Sequence, residues 1–194
     1  MIKKYSLVFI ALLCSFFYGF GQTTIYTESM YNGAGGVPPN SIAVHESNNR
    51  FNEDVLTYSG TGDMRTTSPS NGYAGSTGTW NVMLNNISET FIMDGLSTVS
   101  YNNLVFSFGV RKGTIAEDGS GLIIEYSTTG AGGAYTSISF PLLPTGSGTA
   151  TWHYRSSTST IPSNVTTIRF RSTNNVEWRI DDLLLEGDVA STAF

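Results

Sequence analysis

The run Val176 to Gly187, V-E-W-R-I-D-D-L-L-L-E-G, sets the tightest limit on what this chain can become. In a strand, side chains alternate between two faces, yet Trp178 and Ile180 share one parity while Leu183 and Leu185 share the other. A regular strand cannot bury all four on one side. Either a bulge at Asp181-Asp182 shifts the register or the strand is covered on both faces, and bulges favour places where a side chain must be re-aimed. The two adjacent carboxylates need solvent, a cation or hydrogen-bond donors, because burying them unpaired is costly.

The rest of the chain repeats this strand character. Asn103 to Arg111 alternates most clearly, with Leu104, Phe106, Phe108 and Val110 on one face and Val105, Ser107 and Gly109 on the other, which places it centrally in a sheet. Leu122–Ser127 is expected to pair with it after a turn at Glu117–Gly121. Further strands are expected at Thr24–Met30, Val55–Ser59, Trp80–Leu84, Thr90–Asp94, Ala134–Phe140, Ala150–Arg155 and Thr167–Ser172. In the last of these, Ile168 and Phe170 point one way and Arg169 and Arg171 the other. Ser41 could cap one short helical turn bearing Ile42, His45 and Glu46, and Gly60 to Gly78 reads as a long loop. Nine to eleven short strands with no repeat and almost no helical period describe an all-β, two-sheet antiparallel β-sandwich of jelly-roll type.

Residues 1–21 read as a secretory signal peptide: Lys3 and Lys4, an apolar run to Phe20, then Gly21 before a polar start. The apolar run falls short of the roughly 20 residues of a membrane span, so no membrane insertion is expected after cleavage. Cys14 is the only cysteine, which removes disulfides, thiol catalysis and cysteine-bound metals from the mature chain. The β-sandwich domain is expected over 22–187, with 188–194 as a linker. The net charge of −5 becomes −7 once Lys3 and Lys4 are lost, so the domain lacks the basic footprint that nucleic acid requires.

Candidate chemistry is sparse. His45 and His153 are the only imidazoles; no Gly-x-Ser-x-Gly elbow and no paired-His helix motif is present, so no catalytic residue is assigned. Asp118, in Asp-Gly-Ser-Gly, reads as an Asx turn. Trp80, Trp152, Tyr154, Trp178 and Tyr73 are the aromatics from which a sugar-stacking platform could be built. Tryptophans of a sandwich are mostly core, whereas Tyr73 sits in the long loop where exposure is expected. The ligand-binding candidates are Tyr73, Trp152 and Tyr154.

Asn102 to Lys112, Pro144 to Arg155, Ile161-Pro162 and Arg179 to Leu183 together resemble a β-sandwich module near the N-terminus of secreted Bacteroidetes proteins, often linked to type IX secretion. The resemblance implies a galactose-binding-like jelly roll akin to carbohydrate-binding modules and adhesin domains. In many of these a first-strand acid and a last-strand Asp hold a structural calcium. Glu28 and Asp181 match those places, with Asp182 beside them. The expectation is a secreted or cell-surface, non-catalytic binding or adhesion module, calcium-stabilised, meeting extracellular polysaccharide. The alternatives are a secreted hydrolase or its accessory domain, and a structural spacer for a further domain.

Overall fold

The computed structural model describes residues 21–33, 39–52 and 55–191; residues 1–20 of the expected leader lie outside them. In chain order the elements are β1 (Thr23–Glu28), β2 (Asn40–Ser41), α1 (Ile42–Ser47), β3 (Thr57–Gly60), β4 (Asp63–Arg65), β5 (Asn81–Leu84), β6 (Thr90–Asp94), β7 (Tyr101–Lys112), β8 (Leu122–Ser127), β9 (Thr136–Ile138), β10 (Trp152–Ser156), β11 (Thr167–Ser172) and β12 (Trp178–Val189). They form two antiparallel sheets. The larger runs β10-β7-β12-β5-β4-β2, with β1 also on β12, and the smaller runs β3-β6-β11-β8-β9.

β7 lies between β10 and β12, as its alternation requires, and buries Leu104, Phe106, Phe108 and Val110. β11 turns Ile168 and Phe170 inward, and its outward Arg169 and Arg171 both clasp Glu125 of β8. Between the sheets the rings of Phe51, Tyr58, Phe91, Phe106, Phe108 and Phe170 are in successive contact, the large non-polar burial that holds a chain without disulfides together. α1 is the expected short turn: Ser41 caps it by accepting from the Val44 amide at 3.2 Å, and Ile42 and His45 face the core.

Three expectations need correction. Leu122–Ser127 does not pair with β7; it joins β11 and β9 in the other sheet, because the 113–121 connection crosses between sheets instead of closing a hairpin. The long loop is interrupted by β4, and the last strand continues to Val189, pairing Asp188 with Asn102 and Val189 with Tyr101.

β12 resolves the parity conflict by a bulge. Asp181 pairs with Gly109 and Leu184 with Ser107, so Asp182 and Leu183 together oppose Phe108, and Asp182 takes a left-handed conformation at φ +51°. Asp is one of the few residues that tolerate it. Trp178, Ile180, Leu183 and Leu185 are thereby all buried on one face. The bulge also marks a change of neighbour. Before it, Trp178–Ile180 pair with β5; after it, Leu183–Gly187 pair with β1.

Candidate binding site at the bulge of the last strand

Because β5 ends and β1 begins at the bulge, Asp181 and Asp182 sit at a break in the ladder on one edge of β12. Glu28 is placed opposite Leu183, so the first strand sets a third carboxylate on the strand beside Asp181 and Asp182. Their surroundings differ. Glu28 is buried and accepts from the Met30 amide at 2.6 Å, the Asn52 amide at 2.8 Å and the Tyr58 hydroxyl at 3.0 Å, pinning the chain after β1 to the segment before β3.

Asp182 turns outward. Its Oδ1 accepts from the amide and hydroxyl of Thr77 at 3.1 and 2.6 Å, and its Oδ2 from the Tyr73 hydroxyl. Asp181 is buried, and only Oδ1 is engaged, by the Asp182 amide at 2.8 Å. Its Oδ2 is buried with no hydrogen-bond partner. Burial foremost, then the charge of Asp182, pushes its pKa up to about 8; the nearby Ser70 hydroxyl softens the shift without completing a bond to Oδ2. Neither Arg179 nor Arg169 relieves it. Arg179 donates to Glu177, Thr67 and Asn81, and Arg169 lies in the smaller sheet on Glu125.

The cover over this face is the loop 66–79, which leaves β4, crosses the outer side of the larger sheet and enters β5. Thr67 O accepts from Arg179, Ser68 O from the Trp152 indole at 3.1 Å, and Thr79 donates to Ser29 O. Tyr73 lies directly on β7: a Cβ at Gly109 would come within 1.9 Å of its hydroxyl oxygen. The ring of Tyr73 meets that of Tyr154 at 5.3 Å, and both are half-buried. Burial and the bond to Asp182 raise the Tyr73 pKa, and burial raises that of Tyr154, so both hydroxyls stay protonated. Beside the pair lies a cleft of about 530 Å³ lined by Thr27, Glu28, Thr77, Tyr154, Asp182 and Leu184 among others. On the same face of the sheet, Ser107 donates to the Ser156 hydroxyl at 2.8 Å.

Two of the three aromatic candidates therefore meet, Tyr73 and Tyr154. Trp152 does not offer a free face, being 7% exposed with its indole N–H spent on Ser68. Trp80 and Trp178 are core. The sequence did not reveal Gly109 as the seat of Tyr73, although a glycine in the middle of a strong strand pattern was a signal of close approach. His45 bonds Met30 O and His153 bonds Thr149 O; neither ring bonds a serine hydroxyl or a carboxylate among the described residues. Burial lowers the His45 pKa to about 4, as befits a neutral core imidazole. Asp118 forms the expected Asx turn with the Ser120 amide.

The chain matches no protein-family model and no curated protein. Its fold is similar to solved β-sandwich domains. The K3 cleaved adhesin domain of Lys-gingipain from Porphyromonas gingivalis W83 superposes with a TM-score of 0.52 at 14% identity, covering 84% of this chain and 98% of that one. The K2 cleaved adhesin domain of Lys-gingipain gives 0.54 at 12% identity, over 82% and 98%. The CBM22-1 xylan-binding domain of Paenibacillus barcinonensis Xyn10C gives 0.51 at 12% identity, over 88% and 98%. At such identities the likeness is one of fold. Among the described residues no helix is long and apolar enough to cross a membrane.

Proposed function

We propose that this chain is a non-catalytic binding module at the cell exterior that takes polysaccharide on the outer face of its larger sheet, beside Tyr73 and Tyr154. The observation that carries this reading is the half-buried tyrosine pair bordering a cleft of mixed polar and apolar lining on the sheet. Saccharide recognition uses an apolar ring face flanked by a few placed donors and acceptors, and here Tyr154 supplies the face while Thr27, Ser156, Asp182 and the tyrosine hydroxyls supply the polar groups. The fold likeness to an adhesin domain and a xylan-binding domain supports the same reading.

A calcium ion is proposed at the same break in the ladder. The orphaned Oδ2 of Asp181 and its raised pKa are what a nearby cation would relieve, and Glu28 stands on the neighbouring strand. Among the described residues no group of three or more His, Cys, Asp or Glu is arranged to hold a metal. Asp181 would therefore act with neutral oxygens, a donor set calcium accepts, and Glu28 and Asp182 would contribute charge, because both oxygens of each are already bonded, those of Glu28 to Met30, Asn52 and Tyr58 and those of Asp182 to the loop. The ion would supply charge neutralisation, joining the first strand to the last.

Titration of the domain against soluble xylan and galactan by affinity electrophoresis tests the sugar site. Retardation by at least one polysaccharide is expected, with Tyr154→Ala weakening it about tenfold or more, a loss of roughly 1.4 kcal/mol or more. No retardation by any polysaccharide on a broad glycan array, or release of reducing ends on incubation, ends the proposal.

A further inference from the structure

A second cleft opens on the opposite side of the larger sheet, at the open side of the sandwich between the two sheets. It is open to solvent, and its lining includes side chains of the core: Phe108, Leu122, Ile124, Ile138, Leu143 and Trp178. At its rim stands Arg155. In β10, Trp152 and Tyr154 share the outward parity of Gly109 and Arg111, whereas Arg155 pairs with Phe108 and so occupies an inward position on an edge strand. Its guanidinium donates to Tyr154 O at 2.8 Å and Leu142 O at 3.4 Å, and its Nε is buried without a partner. Among the described residues it forms no ion pair, unlike Arg65, Arg111, Arg169, Arg171 and Arg179. Asp118, on the other rim, is half-exposed and is held in its Asx turn by the Ser120 amide.

A half-buried cation at the rim of an apolar cleft, outside any ion pair among the described residues and with its Nε buried and unpartnered, is placed to receive a counter-charge. The apolar lining suits a hydrocarbon rather than a sugar. We propose that this cleft binds a small amphiphile with a hydrocarbon body and a single carboxylate, the body between the sheets and the carboxylate on Arg155. Arg presents a planar fork that matches a carboxylate bidentately. The site is separate from the tyrosine cleft and does not depend on it.

The test is calorimetric titration with dodecanoate and with dodecanol, each below its aggregation limit, on the wild-type protein and on Arg155→Gln and Arg155→Lys. Saturable one-to-one binding of dodecanoate is expected, with dodecanol at least about tenfold weaker. Arg155→Gln should bring dodecanoate down to the affinity of dodecanol, and Arg155→Lys should recover part of the difference. Melting curves establish that each variant is folded. Equal affinity for acid and alcohol, dodecanoate binding unchanged in folded Arg155→Gln, or no saturable binding of dodecanoate to the wild type would each overturn the proposal.

Discussion

Asp181 carries an unusual electrostatic load for a single side chain. Its pKa lies near 8 in the folded chain against about 4 when unfolded, so between those values the folded state holds a proton that the unfolded state has released. Stability from this group is therefore highest at low pH, falls as pH rises from about 4, and bears its whole penalty above about 8. The ceiling on that penalty is of the order of 5 kcal/mol. In chelator, the wild type is expected to lose stability between about pH 5 and pH 8, and Asp181→Asn is expected to lack that part of the slope, measured by urea unfolding at each pH. At pH 8, calcium should raise the Tm of the wild type and chelator should remove the gain, while Asp181→Asn responds to neither. A pH slope shared by wild type and variant discards the raised acid; a Tm indifferent to chelator discards the ion. Other carboxylates act at the opposite end of the scale. Burial opposes it, but Arg171 and Arg169 hold Glu125 below the usual range, so its contribution fades only as pH drops below the ordinary carboxylate region. Glu125→Gln should weaken the protein near neutrality and do so less in acid.

At the scale of elements, the loop 66–79 makes the site by lying on the sheet, and Gly109 is what lets it lie there. Gly109→Ala places a methyl group against the Tyr73 hydroxyl, which is itself tied to Asp182. The expected result is a displaced Tyr73, a loss of roughly 1 to 3 kcal/mol, and faster hydrogen exchange at the Thr77 amide, whose bond to Asp182 depends on the same loop. Unchanged protection at Thr77 would show that the loop is held independently of the tyrosine. Much of this level could be read from the residues alone. The parity break in Val176–Gly187 left a bulge or a doubly covered strand, of which the bulge is found, while Ser41 located the helix cap and β6 and β11 begin and end where their alternation does, because there one local rule decides the outcome. β4 escaped notice because three residues inside a Gly- and Ser-rich run carry no period. The wrong partner for β8 has a different origin: nearness in sequence favours a hairpin, whereas a sandwich closes by sending alternate connections across its open end. The inward Arg155 was within reach, since Trp152-His-Tyr-Arg alternates like any strand, but an arginine facing a core contradicts the usual burial order.

The molecule as a whole is closed by its own ends. β1 pairs with β12 from Thr23 opposite Gly187 to Glu28 opposite Leu183, so these contacts join residues more than 150 apart in the chain. Such pairing bears the full loop-closure cost, and folding should be slow in the way of other sandwiches. It also means the two ends of the described chain lie side by side, which is the condition under which permutation is tolerated. A circular permutant joining Ala190 to Gln22 through a short Gly-Ser linker and reopened at the exposed Gly146–Gly148 turn should keep a cooperative transition, with a urea m-value close to that of the parent and a folding rate raised because the β1–β12 pair has become local. The orphaned carboxylate of Asp181 should be unaffected, so calcium should stabilise the permutant by the same amount as the parent at pH 8. A permutant that folds cooperatively yet no longer responds to calcium would show that the ion depends on more of the chain than the strand pair; one without any cooperative transition would show that β1 and β12 do not close the sandwich.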